Sequence, residues 1–338
     1  MKTNKILLNI SLISLPLIPT TVLAASCKKE EKVKKYYNSK GVSYKDIKLN
    51  SFYEGIEPKD YAKIGKLFYK KTTLSKKHPI TGALTTWQGT YWEKFNYRDM
   101  TVTGWSDGDT LKADWIDGGG IKRACKIRIS GIDTLEEGTP TVKRRERALA
   151  ALDHRYANSI IPKGAKIRAI AENWANSSYD RLVANIFFDK PGEEQGKFYR
   201  NFSTEMLAGG WTLPRFSSGE TGAFTSNYNE KEFDSPFALM LPYMAYAFNE
   251  GIEQNRGFYN PESYKYKGVE NDVKNGGRGE AMVSPYEFTL EYVDHGIGMI
   301  ANGGGEYILS AEFSKFDKLE PNNSIFAFID SRNKQYGL

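Results

Sequence analysis

Apolar residues alternate with polar ones along three central stretches of the chain, which predicts strands with one buried face. Leu111, Ala113 and Trp115 share the first such face, just after Asp107-Gly108-Asp109-Thr110, which has the composition of a turn. Gly118-Gly119-Gly120 then turns the chain into a second strand, with Ile127 and Ile129 on one side and Arg128 on the other. In the third, Leu182, Ala184, Ile186 and Phe188 point one way and Arg181 the other. Both arginines therefore stand off the apolar faces, free to reach a common mouth. Gly131 permits a kink that carries Asp133 and Glu136 off the end of the second strand. Between the second and third strands the period lengthens. Leu149, Leu152, Tyr156 and Ile160 recur at helical spacing, which predicts a helix over 144–160, closed by Pro162-Lys163-Gly164. A second helix is predicted over 199–207, ending at Gly209-Gly210.

The flanks are less regular. Pro58 is placed to open a short amphipathic helix with Tyr61, Ile64 and Leu67/Phe68 on one face and lysines opposite. Trp87, Tyr91 and Trp92 follow. Packing on the side of a barrel is the commoner use of such aromatics, and base stacking is the other. Phe237 to Phe248 is apolar almost all round, which predicts a buried helix, kinked at Pro242 and too short to span a bilayer. Beyond Tyr259, runs at 286–292, 307–313 and 324–329 predict strands, with Asn302-Gly303-Gly304-Gly305 as a hairpin turn.

The first residues read as an address. Lys2 and Lys5 precede an apolar stretch from Ile6 to Leu23, and Ala24-Ala25-Ser26-Cys27 follows, the pattern of a lipoprotein export signal cleaved before Cys27. Acyl chains on Cys27 are expected to anchor the protein on the outer face of the cell membrane. Pro16 and Pro19 make an uncleaved membrane helix the weaker reading. The charged run Lys28–Lys35 reads as a tether. The expected organisation is a signal over 1–26, a lipidated cysteine and tether over 27–46, an extension over 47–96, a central domain over 97–260 and a β-rich extension over 261–338.

Composition changes this picture little. At 338 residues and 40% hydrophobic content the chain can bury a large core. Its net charge of +6 falls to +4 without residues 1–26, which hold two lysines and no acids. That balance suits a polyanion-binding protein without identifying one. Once Cys27 is lipidated, Cys125 has no partner for an intramolecular disulfide, and it is expected to be a small buried residue. His78, His154 and His295 lack ligand spacing, so zinc chemistry is a poor competitor.

The candidate chemistry lies in three fragments: Asp107-Gly108-Asp109-Thr110, the run Arg128-Ile129-Ser130-Gly131-Ile132-Asp133-Thr134-Leu135-Glu136, and Tyr179-Asp180-Arg181. Phosphodiester hydrolysis needs charge neutralisation, an activated water and support for a crowded phosphorus. Carboxylates suit a hard cation, guanidinium forks suit phosphate oxygens, and a further carboxylate can accept a proton from water. Each fragment taken separately has a plain structural use as a turn, a solvated strand arginine or a helix cap.

In order and local sequence the fragments resemble the staphylococcal-type, thermonuclease-like nuclease family over roughly residues 97–216, with a weaker extension towards Tyr259. The resemblance implies an α+β, mainly β fold, an OB-type five-stranded barrel with about three helices, flanked here by the two extensions. It implies one Ca²⁺ held by Asp109, Asp133 and the Thr134 carbonyl, Glu136 as general base, Arg128 and Arg181 as phosphate clamps, and Asp107 as a supporting acid. DNA and RNA are the implied substrates, cut with little sequence preference to leave 3′-phosphates. Leu135 stands where the family usually has proline, and Asp180 where it usually has glycine. Of the family's base-stacking aromatic pair, Phe216 supplies one member and the second is not apparent. Two other classes remain open at this level: an inactive surface lipoprotein that binds nucleic acid, and an adhesin that uses the segments outside the barrel. No protein partner can be read from the residues.

Overall fold

The computed structural model describes residues 43–78, 80–138, 142, 144–171, 174, 177–178, 180–215, 218–228, 233, 235–265, 281–282 and 325–337. The expectations for the signal, Cys27 and its tether, Tyr179, Phe216, Asn302–Gly305 and the runs 286–292 and 307–313 fall outside these residues.

Pro58 opens a 3-10 helix, Pro58–Tyr69, that buries Ile64, Leu67 and Phe68. Non-helical dihedrals at Asp60 and Lys63 kink it, so the amphipathic face forms without a continuous α-helix. A hairpin follows, β1 (Thr72–Lys77) and β2 (Leu84–Gly89), with Leu74 opposite Trp87. The short helix α1 (Tyr91–Phe95) begins with a capping box between Thr90 and Glu93.

Strands β3 (Arg98–Asp107), β4 (Thr110–Ile116) and β5 (Lys122–Ile129) form an antiparallel meander. The three-residue β6 (Gly131–Asp133) leaves the end of β5, and helix α2 (Arg144–Ile160) crosses the barrel to β7 (Lys166–Ile170). Through the two-residue β8 (Ser177–Ser178) the chain reaches β9 (Arg181–Phe188), parallel to β5 and antiparallel to β7. Because β7 also pairs with β3, the order β3–β4–β5–β9–β7 closes a mixed five-stranded barrel. An α+β fold with an OB-type barrel is what the resemblance implied; the alternation by itself pointed only to the strands.

Beyond the barrel come β10 (Arg200–Asn201) on β9, α3 (Phe202–Ala208), β11 (Leu213–Arg215) paired with β6, α4 (Ser218–Asn227), α5 (Pro236–Glu253) and α6 (Ile325–Tyr336). The helix predicted over 199–207 thus begins only at Phe202. Arg200 and Asn201 pair with Phe188 and Phe187, and the Asn201 side chain caps the helix by accepting the Thr204 N–H at 3.0 Å. The run predicted as a strand over 324–329 instead enters α6, where Ile325, Phe326 and Ile329 are buried at helical spacing. In the β-rich extension, the described segments Pro261–Lys265 and Ile325–Tyr336 are therefore helical. Cys125 is half-buried rather than buried: it lies on the same face of β5 as Ile127 and packs at the margin of the core, with its thiol donating to the Ala113 carbonyl at 3.5 Å.

The barrel core and the flanks share one apolar interior. Phe52, Tyr53, Phe68, Tyr91 and Trp92 pack among themselves, with Phe187 of β9 and with Tyr243 of α5. Tyr91 and Trp92 are buried packing residues. Helix α5 is buried along nearly all its length and continues through Pro242. Among the described residues no helix is long and apolar enough to cross a membrane.

Candidate active site

The turn between β3 and β4 has two residues, Gly108 and Asp109, and it carries the Asp109 side chain into the interior, where it is 1% exposed. The Ile129 N–H donates to the Asp109 carbonyl at 2.8 Å, which ties this turn to the end of β5. Gly108 is required sterically: a Cβ there would run into the Asp153 carboxylate and lie 2.9 Å from Thr134 Cγ2. At the end of β5, Gly131 takes φ +86°, and a Cβ there would strike the Phe237 ring of α5. The kink redirects the chain into β6 and delivers Asp133, 2% exposed, beside Asp109.

Register decides which arginines meet these acids. Arg128 lies opposite Thr110 on β4 and opposite Val183 on parallel β9. Its guanidinium ion-pairs with Asp109 Oδ1 through Nη1 and with Asp133 Oδ1 through Nη2. Burial opposes its charge, but the two aspartates outweigh that cost and raise its pKa. Arg181 Nη1 donates to Thr110 Oγ1 at 3.0 Å, and that hydroxyl donates to Asp109 Oδ1 at 3.2 Å. The two predicted arginines are therefore linked through one threonine and one aspartate. Asp180, beside Arg181, adopts φ +64°, the left-handed conformation that explains a preference for glycine and that aspartate tolerates.

The remaining predicted residues join the same pit. The Thr134 N–H donates to Asp109 Oδ2 at 2.9 Å, and Leu135 turns its side chain into the core. Glu136 is half-buried and close enough to Asp107 to influence its ionisation. Burial first, then the charges of Asp109 and Glu136, push Asp107 up to about 7, with Thr110 and Arg128 acting in the opposite sense.

Three further residues belong to the pit. Arg215, at the end of β11, places Nη1 2.9 Å from Asp133 Oδ1, with about half its side chain exposed. Asp153 and Glu146 of α2 are buried beneath the 134–136 segment. The periodicity that predicted α2 marks its apolar positions and gives no hint that acids share the buried face. Arg215 sits in too short a strand for alternation to register.

Asp109 and Asp133 converge on one cationic group, so the space between them accommodates positive charge, and their hard oxygens match calcium's preference. Among the described residues, no three carboxylate, imidazole or thiolate groups form a cluster that would hold a metal by themselves. Compared with known proteins, the chain matches no family model and no curated protein.

Proposed function

We propose that this protein is a calcium-dependent nuclease of the thermonuclease-like type, hydrolysing DNA and RNA on the outer face of the cell membrane, where lipid on Cys27 would hold it. The observation that carries this reading is the single pit in which Arg128 bridges Asp109 and Asp133 while Arg181 joins them through Thr110. Elements far apart in sequence supply exactly one kind of chemistry there: anionic oxygens that grip a hard cation, beside guanidinium groups that grip phosphate.

Asp109, Asp133 and the Thr134 carbonyl would hold the calcium ion, which when bound supplies Lewis-acid polarisation of the phosphate and an acidified water. Glu136 accepts the proton of the attacking water. Arg128 and Arg181 stabilise charge gathering on the equatorial phosphate oxygens, where a planar fork with several donors outperforms a lysine. Arg215 adds a third, partly exposed cation at the rim. Contacts aimed at the backbone rather than the bases account for low sequence preference on either nucleic acid; the resemblance implies 3′-phosphate products, in which the P–O5′ bond breaks and the 5′-hydroxyl leaves.

The test is incubation of purified protein with plasmid DNA in calcium or in EDTA. Calcium-dependent smearing is expected. Retardation without cleavage would replace the enzyme with a nucleic-acid binder, and neither effect would remove nucleic acid from the account.

A further inference from the structure

The segment Thr134-Leu135-Glu136 carries a proposed calcium ligand and the proposed base, yet it has no regular secondary structure after β6. Carboxylates hold it instead, taking three successive backbone N–H groups. Thr134 donates to Asp109 Oδ2 at 2.9 Å, Leu135 to Asp153 Oδ2 at 3.2 Å and Glu136 to Glu146 Oε1 at 3.4 Å. Glu146 and Asp153 stand two helical turns apart on α2 and so share a face. Asp153 is fully buried, and its Oδ1 has no hydrogen-bond partner among the described residues. That oxygen lies against Gly108, between Asp107 and Asp109.

A carboxylate withdrawn from water with one oxygen unmatched is costly to keep, so fold stability does not explain it. We propose that Asp153 is a positioning residue: one oxygen holds the Leu135 N–H while the other braces the Gly108 turn, which fixes the spacing between the metal-binding acids and Glu136. This rests on the nuclease reading above. It also accounts for Leu135 at a position where the resemblance leads one to expect proline. Proline has no N–H to offer Asp153 and would restrict the backbone through its ring, so the hydrogen bond does here what the ring would do elsewhere.

The experiment compares Asp153→Leu, Asp153→Asn, Leu135→Pro and the double variant Asp153→Leu/Leu135→Pro in the full chain. Asp153→Leu should lower kcat by about 10²-fold, as small misplacements near a reacting centre do. KM should stay within about threefold and Tm should not fall, since an apolar side chain replaces a buried acid. Asp153→Asn keeps an acceptor for the Leu135 N–H and should retain kcat within about fivefold. Leu135→Pro should reduce kcat beside Asp153, yet raise it about tenfold beside Leu at 153, a reversal of sign that a purely structural role would not produce. Amide exchange at residue 135, read by mass spectrometry without any cleavage, should quicken in Asp153→Leu and stay slow in Asp153→Asn. A wild-type chain that cuts no DNA would end the nuclease reading, while the exchange rates would still judge the brace. Unchanged exchange in Asp153→Leu, equal damage from Asn and Leu, or the same sign for Leu135→Pro in both backgrounds would overturn the proposal.

Discussion

Lys126-Ile127-Arg128-Ile129 and Lys166-Ile167-Arg168-Ala169 are nearly the same tetrapeptide on two strands of one barrel, and their arginines are equally withdrawn from solvent, at 12% and 11% side-chain exposure. Their surroundings differ. Arg168 donates to both oxygens of Asp99 at 2.7 and 2.8 Å, with the Tyr97 and Phe198 rings 3.9 and 4.5 Å from its Cζ. One cation meets one anion, and aromatic faces cover it. Arg128 meets two buried carboxylates, Asp109 and Asp133, with Asp107 close by and Asp153 behind them. A balanced arginine is a fastener. Under the proposed function, an arginine set among surplus acids marks a place that receives more positive charge and the anions that follow it.

The largest expected contrast is in catalysis. Arg128→Ala and Glu136→Gln should each lower the initial rate of plasmid cleavage by about 10³-fold or more. Arg168→Met should leave the rate per folded molecule within about threefold. Comparable losses at both arginines would erase the distinction.

Stability should separate them by its response to metal. Arg128→Ala removes the ion pair of buried Asp109 and one of the two arginines on Asp133, and should cost about 3–5 kcal/mol in EDTA. Calcium should restore much of that loss by mass action. Arg168→Met should cost only about 1 kcal/mol, because Asp99 is half exposed, with or without calcium. Thermal melts in both media test this, and a calcium-insensitive loss at Arg128 would count against the metal assignment. A smaller effect is expected at the rim. Arg215→Ala should raise KM about three- to tenfold with kcat little changed, and reduce the salt slope of DNA binding by about one.

The smallest effect concerns pH. Asp107 titrates near 7 when folded, above the ordinary carboxyl range, so the folded protein keeps a proton that the unfolded chain has lost. In EDTA its contribution therefore makes stability fall as pH rises from about 4 to about 7. Asp107→Asn should flatten that part of the curve in denaturant titrations.

The sequence revealed the barrel strands because Leu111, Ala113, Ile127 and Ile129 are buried on one side with strict alternation. It revealed Gly131 because only glycine suits a left-handed residue lying this close to the side chains of a helix. The acids and arginines of the pit were visible as fragments, and their order made them interpretable. Arg168 against Arg128 shows where such reading stops, since the same local word takes its meaning from Asp99 in one place and Asp133 in the other. Asp153 and Arg215 were hidden for the same reason: each acquires a role through a partner eighteen or more positions away. Residues 325–329 were misread because a short apolar run fits either a strand or a helix until its length is known.

Phe68 and Trp92 pack edge-on against Phe187 at 4.8 and 5.1 Å, and Tyr53 meets Tyr243 at 5.9 Å, so the segment before Tyr97 is a wall of the molecule rather than a leader to it. Shortening the protein to begin at Tyr97 would strip the cover from Phe187 and from α5, whose Phe237 seats the Gly131 bend. A fragment trimmed that way should precipitate during expression, and under the proposed function a loss of cutting would reflect collapse of the scaffold while Arg128, Glu136 and Arg181 were still encoded.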